Sequence, residues 1–98
     1  MWRHGDVLIA QVDEIPAGAE RLPGVVLARG EATGHAHRVA EGGTAEIWRH
    51  GAHTFLQVVA SSVQIVHEEH KPITLPQGTY RFWFQREYSP KEIRRIVD

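Results

Sequence analysis

The sequence predicts an all-β protein, a small single-domain β-barrel or sandwich over residues 1–98 with a short C-terminal helix at about 90–97. Three observations favour this fold class. Short apolar runs are separated by glycine and proline, which is typical of strands joined by turns. In the run TYRFWF at 79–84 an aromatic residue stands at every second position, 80, 82 and 84, which is the period of a strand with one buried face. A chain of 98 residues suits one domain with one modest core.

The apolar runs predict strands or strand pairs at 6–12, 25–39, 44–60, 62–70 and 72–88. The polar stretch 13–24 connects the first two runs. Gly30 and Gly34 interrupt the second run, which therefore forms one long strand or a broken one. The third run is a hairpin folded at RHGA, where Gly51 is free to take a positive φ. The last run begins with a turn. The tetrapeptide WRHG occurs twice, either by coincidence or because it marks two equivalent strand ends.

The end of the chain carries the clearest local signals. The aromatic side chains of Tyr80, Phe82, Phe84 and Tyr88 share one strand face and are expected in the core, whereas Trp83 faces the other way. The following segment SPKE supplies a serine N-cap, a proline at the first helical position and a glutamate that completes a capping box. This segment therefore predicts the start of the C-terminal helix.

Composition excludes several classes of function. The 11 Lys+Arg and 12 Asp+Glu residues leave a net charge of -1, so charge alone favours no nucleic-acid partner. Because the chain has no cysteine, disulfides and thiolate metal sites are excluded. No apolar stretch reaches the length of a membrane span, and the N-terminus lacks the apolar region of a signal peptide. We therefore expect no membrane association and a cytoplasmic location.

Histidine is the unusual component, with seven residues, four of which lie in the motifs GHAH and HEEH. His35 and His37 are two residues apart, so on a strand their imidazoles project to the same side. His67 and His70 are three residues apart, so both reach one ion only if the chain bends after His67. We predict that His35, His37 and His67 bind a divalent metal and that His70 completes or supports this ligand set. Zn is favoured, and Fe, Ni or Mn are alternatives, since these ions accept imidazole and carboxylate ligands.

Carboxylates near the histidines extend this hypothesis to catalysis. Glu69 or Glu41 would complete the ligand set, orient an imidazole or act as a general base. Three protein ligands with an open fourth position are typical of catalytic zinc, which lowers the pKa of its bound water to about 7. The sequence therefore favours hydrolysis or hydration of a small-molecule substrate by a homo-oligomer. The remaining histidines, His4, His50 and His53, are expected to lie outside the site.

The stretch from Gly30 partly resembles the first cupin motif, a glycine followed by H-x-H and then a glutamate. Here Gly30, His35, His37 and Glu41 stand in that order. In cupins these histidines and this glutamate bind a metal in a small β-barrel, so the resemblance implies the same roles here. The chain as a whole resembles a group of short, uncharacterised bacterial and phage-encoded proteins that share GHAH, HEEHKPITLPQGTYRFWFQREY and a short helix. That second resemblance implies no particular activity.

The alternative hypothesis is a non-enzymatic module, such as a phage or bacterial accessory protein that binds another protein. Its histidines would be incidental or would hold a structural metal. Exposed Trp2, Trp48 or Trp83 would then contact the partner, because tryptophan is favoured at the energetic centres of interfaces.

Overall fold

The computed structural model describes residues 1–29 and 35–84, and within these ranges every helix or strand assigned is a β-strand. The strands are β1 (Trp2–His4), β2 (Val7–Gln11), β3 (Glu20–Leu22), β4 (Val26–Arg29), β5 (Ala36–Val39), β6 (Ala45–His50), β7 (His53–His67) and β8 (His70–Phe84). The all-β class is therefore confirmed. The helix predicted at about 90–97 lies outside the described residues. In the described part of the chain, no helix has the length and apolar character needed to span a membrane.

The eight strands form one antiparallel sheet. Six follow the order β1-β2-β8-β7-β5-β4, while β6 pairs with β7 and β3 pairs with β6. The long β7–β8 hairpin changes register twice, between Val58 and Ser62 and between Ile65 and His67. Such irregularities bend a strand and increase its twist, and the sheet curls into a half-barrel. The curl brings the start of β8 beside β1, since the His4 ring lies 3.0 Å from the carbonyl oxygen of Lys71.

The connection predicted at 13–24 contains one strand that the sequence pattern missed. In this segment β3 pairs with β6, so that Arg21 lies opposite Trp48. Two of its three side chains are exposed, which is why it lacks the apolar alternation of a buried strand. The run 25–39 forms two strands, β4 and β5, so the broken alternative is the correct one.

The turn predicted at the start of the run 72–88 is wrong, and the strand predicted at 62–70 ends earlier, because β7 runs only to His67. The chain reverses at Glu68–Glu69, and β8 continues through Pro72 and Pro76. Proline has no backbone N–H and is tolerated where a strand has one open edge. In this part of β8 the described pairing is with β7 alone, because pairing with β2 begins only at Tyr80.

The core lies on one face of the curled sheet. Tyr80 is 0% exposed and Phe82 is 5% exposed, so the predicted aromatic face is confirmed as core for these two residues. Trp2 packs edge-on against Tyr80 with ring centroids 5.4 Å apart. Apolar side chains from β2, β5, β6, β7 and β8 complete this core, namely Val7, Ile9, Val39, Ala45, Ile47, Leu56, Val58, Val63, Ile65 and Leu75.

The hydroxyl of Tyr80 donates a hydrogen bond of 2.6 Å to the carbonyl oxygen of Pro76. We expect Tyr80→Phe to lower the free energy of unfolding by about 1 kcal/mol, because the ring stays and one hydrogen bond is lost. Urea denaturation of both proteins measures the difference. A larger loss is expected for Tyr80→Leu, which also removes ring packing. An unchanged midpoint in Tyr80→Phe would show that the hydroxyl contributes nothing to stability.

The two WRHG tetrapeptides are equivalent strand ends, one finishing β1 and the other finishing β6. In each, the histidine pairs across a two-residue turn with the residue three positions later. The glycine opens the turn with a positive φ, 62° at Gly5 and 63° at Gly51. Glycine in this first position is typical of tight hairpin turns. The predicted hairpin at RHGA is thereby confirmed.

Candidate metal centre

Histidines from four strands meet where the β1–β2 turn, β5 and the β7–β8 turn come together. His4 ends β1, His37 lies in β5, His67 ends β7 and His70 begins β8. The ring centroid of His67 is 4.3 Å from that of His37 and 4.6 Å from that of His70. One nitrogen each from His37, His67 and His70 lies within 4.8 Å of the other two, so this group could hold a metal ion.

The HEEH motif brings two imidazoles together because it is a hairpin turn. His67 and His70 are paired residues on β7 and β8, with Glu68 and Glu69 forming the turn between them. Side chains of directly opposed residues on antiparallel strands project to the same side of the sheet. The backbone N–H of Glu69 donates to Nδ1 of His67 at 3.0 Å, which orients the ring. A shared ion requires the chain to bend after His67 so that His70 can reach it. The structure has such a bend, and it is a complete chain reversal.

A chain of hydrogen bonds sets the proton positions on His4 and His37. Nε2 of His4 lies 3.0 Å from the carbonyl oxygen of Lys71, which only accepts, so Nε2 of His4 carries a proton. Nδ1 of a neutral His4 is then the acceptor, and Nδ1–H of His37 donates to it at 2.9 Å. A neutral His37 therefore keeps the free lone pair on Nε2, which is the nitrogen that a metal would bind.

The neutral state of both rings has a physical cause. Burial, followed by repulsion from His67, His4 and His70, lowers the pKa of His37 to about 4, although Asp6 opposes the shift. Burial also lowers the pKa of His4, and the hydrogen bond to Lys71 partly offsets this. Because metals bind imidazole in its neutral form, these environments favour the ligand state at neutral pH.

Gly5 allows the turn to approach the histidine rings closely. A Cβ atom at this position would lie 2.6 Å from Nε2 of His70 and 3.0 Å from Cε1 of His37. At Gly51, in the equivalent turn, a Cβ would meet no described atom within 4 Å. The first hairpin therefore needs glycine for packing as well as for its backbone conformation.

A second group with ligand spacing lies at the same β7–β8 turn. One ligand atom each from His35, His67 and Glu68 lies within 4.8 Å of the other two. The rings of His35 and His67 are nearly perpendicular, with centroids 5.6 Å apart. This group is more exposed than the first, and the two groups have His67 in common.

The carboxylate of Glu68 is held in place by β5. Its Oε1 accepts the backbone N–H of Ala36 at 3.1 Å, and its Oε2 lies 3.6 Å from a guanidinium nitrogen of Arg38. The Ala36 hydrogen bond is the main cause that lowers the pKa of Glu68, with smaller effects from His35 and Arg38. Glu69 lies next to this group, with Oε2 3.5 Å from Nδ1 of His35.

The predicted ligands are therefore divided between two groups. No candidate group found among residues 1–29 and 35–84 contains both His35 and His37. Glu41 belongs to neither group and is exposed after β5. The ligand set implied by the cupin resemblance, His35 with His37 and Glu41, is thus not assembled in the described residues. His35 precedes β5, which starts at Ala36, so strand parity does not link it to His37.

His4 is the residue that reasoning from the sequence missed. It was expected outside the site, yet it is 2% exposed and contacts His37 directly. A local signal was present, because His4 shares a strand face with Trp2, which packs on the core. His50 and His53, by contrast, lie on the exposed β6–β7 hairpin, in keeping with the expectation for them.

Comparison with known proteins identifies a family without assigning an activity. A search of curated proteins and a search of solved structures found no significant match to the chain. The sequence profile of one family, described as a domain of unknown function, matches residues 3–85. The matched region contains all seven histidines. The chain therefore belongs to the family described as Domain of unknown function (DUF8820).

Proposed function

We propose that this protein binds a divalent metal ion, with zinc favoured, through His37, His67 and His70, and that the ion activates water for hydrolysis or hydration of a small substrate. The observation that carries the proposal is the convergence of these three imidazoles at one point of the curled sheet. The hydrogen-bond chain through His4 adds to it by leaving Nε2 of His37 with a free lone pair.

The donor set matches the chemistry of a catalytic ion. Three nitrogen ligands without a thiolate suit zinc and neighbouring transition metals. A set of three protein ligands leaves one tetrahedral position for water, whose pKa falls to about 7 when zinc binds it. His70 is exposed, whereas His37 is buried, so the ion would lie at the surface end of the cluster and accept small molecules from solvent.

His4 supports this site as a positioning residue. Metal-binding histidines usually donate their second ring N–H to a fixed acceptor, which sets the tautomer and the ring orientation. Here the acceptor is Nδ1 of His4, which is itself fixed by donation to the carbonyl of Lys71. This arrangement ties β1, β5 and β8 together at the metal ligand.

The two glutamates predicted as catalytic differ in the support they receive. Glu69 lies in the turn between His67 and His70 and is the candidate general base. Its carboxylate is 3.5 Å from Nδ1 of His35, which belongs to the second group and shares His67 with the proposed ligand set. Glu41 belongs to neither histidine group of the described residues, so we assign it no role in the reaction.

Metal analysis of protein purified without a histidine tag tests the proposal. We expect a first equivalent of Zn(II) to bind each chain, and His70→Ala to weaken that binding at least about tenfold because one ligand is lost. His70 is the best position for this test because it is exposed, so its replacement leaves the core intact. His50→Ala is the matched control, as His50 is also exposed but lies in another hairpin. Equal affinity in all three proteins would remove this cluster as the metal site.

The rival function is a non-enzymatic accessory module with a structural metal. The same ion would link β5 to the β7–β8 hairpin and so stabilise a domain that has a small core. Co(II) in place of zinc separates the two functions. A spectrum that responds to azide and to pH shows an exchangeable fourth ligand and favours the enzyme, whereas an unresponsive spectrum favours the structural role. A homo-oligomeric state and a cytoplasmic location stay predictions.

A further inference from the structure

We infer that the site takes a second divalent cation, held by His35, His67 and Glu68, with the His67 imidazole shared between the two ions. The inference rests on the proposed function, because the two positions have this ligand in common. Its geometric basis is that one ligand atom from each of the three side chains lies within 4.8 Å of the other two.

His67 occupies the centre of the cluster. Its ring centroid is 4.3 Å from that of His37, 4.6 Å from that of His70 and 5.6 Å from that of His35. An imidazole carries two ring nitrogens that point in different directions, so one ring serves two ions once it has lost its proton. Nδ1 of His67 now accepts the Glu69 N–H at 3.0 Å, so the proton of the neutral ring is on Nε2. Binding of both ions replaces the Glu69 contact and releases the Nε2 proton to solvent.

The charges around the turn fit a cation at the second position. The ligands of the first position are all imidazoles, and the acid whose charge acts on His37 is Asp6. Glu68 and Glu69 place two carboxylates in the turn beside the second position, and Oε2 of Glu69 lies 3.5 Å from Nδ1 of His35. Arg38, 3.6 Å from Glu68, cancels part of this negative charge. The second ion is expected to bind more weakly than the first, because Arg38 and the charge of the first ion both repel it and because its ligands are more exposed.

Glu68 is already oriented for this role. The Ala36 N–H fixes its Oε1 at 3.1 Å, and a carboxylate oxygen that accepts one hydrogen bond keeps a second lone pair for a metal. Two imidazoles and one carboxylate suit Zn, Mn, Fe or Cu(II). An imidazole ring between two ions holds them further apart than the roughly 3.5–4 Å of sites where both ions act on one displacement. The second ion would therefore fix the position of His67 and add positive charge beside the first ion, without sharing the reacting oxygens.

Titration with Cu(II), followed by metal analysis and by electron paramagnetic resonance, tests the inference. We expect two ions per chain, with loss of the isolated Cu(II) signal at the second equivalent because an imidazolate bridge couples the two spins. Glu68→Gln and His35→Ala should keep the first equivalent and weaken the second at least about tenfold. Glu14→Gln and His53→Ala are the matched controls, since both residues are exposed and belong to neither group.

The outcomes separate this inference from the proposed function. A single ion per chain that His70→Ala removes would overturn the second position and leave the first intact. Two ions that both persist in Glu68→Gln and His35→Ala would also overturn it, because the second ion would then lie elsewhere. Failure of Cu(II) and Zn(II) to bind at any equivalent would contradict both proposals.

Discussion

Gly5→Ala should weaken Zn(II) binding about a hundredfold and lower stability, whereas Gly51→Ala should lower stability alone. Both glycines open WRHG turns with nearly the same φ, 62° and 63°. Either substitution places a residue with a side chain in the left-handed backbone region, which lowers the free energy of unfolding by on the order of 1–3 kcal/mol. Only at Gly5 would the new methyl group also meet His70 and His37, at 2.6 Å from Nε2 and 3.0 Å from Cε1.

The difference between the two variants isolates the contact with the rings. Because a Cβ contact below 3.0 Å requires atoms to move, the methyl group at position 5 displaces at least the His70 ring from the position it shares with His37. Loss of a contact that orients a metal ligand typically weakens metal affinity by roughly 10- to 100-fold. We expect a loss near the upper end of this range, about 100-fold, because two rings are affected. Isothermal titration with Zn(II) and thermal unfolding measure the two effects.

Equal Zn(II) affinity in the two alanine variants would contradict the proposed centre, since only one of the turns touches it. Equal loss of stability with unequal affinity is the expected pattern if the backbone strain is shared and the ligand contact is not. If the Gly5→Ala protein unfolds at the temperature of the titration, both alanine variants are compared at lower temperature, where the same inequality in affinity is expected.

The fold class was accessible to sequence reasoning because it depends on local signals. The alternation around Tyr80 and Phe82 identifies a strand with a buried face, and Gly51 between two apolar runs identifies a hairpin. β3 was missed because an exposed strand held by one neighbour carries no apolar alternation. The reversal at HEEH was missed because neither Glu68 nor Glu69 is a typical turn residue, while the nearby proline suggested a turn where β8 continues.

The site was predictable only in part, for reasons of geometry. His37, His67 and His70 were identified because their motifs are local. Whether His35 joins them at one metal position or belongs to a separate group depends on where β5 begins. His4 contacts His37 from 33 positions away along the chain, and that contact exists only because the sheet curls. No spacing rule connects two residues that distant. What the sequence lacks is the curvature of the sheet, which decides which strand ends face each other.

Acid should destabilise the metal-free protein by up to about 3 kcal/mol between pH 6.5 and pH 4, because His37 is buried in the neutral form. Above pH 6.5 the ring is neutral in both the folded and the unfolded chain, so its contribution to stability is fully present. Below pH 6.5 His37 becomes protonated in the unfolded chain, whereas in the folded chain it stays neutral until the pH approaches its pKa of about 4. Each pKa unit between the two values corresponds to about 1.4 kcal/mol. Stability is therefore lost as pH falls, and burial of His4 acts in the same direction.

Urea denaturation in the presence of a chelator at pH 7.5, 5.5 and 4 measures this loss. His37→Gln is the informative variant, because its amide N–H still donates to Nδ1 of His4 but does not titrate. We expect His37→Gln to be less stable than the wild type at pH 7.5 and to lose less stability on acidification. His53→Gln, which changes an exposed histidine, should follow the wild-type curve. If His37→Gln and the wild type lost stability in parallel, protonation of His37 would not be the cause, and the neutral ring that the proposed metal site requires would lose its main support.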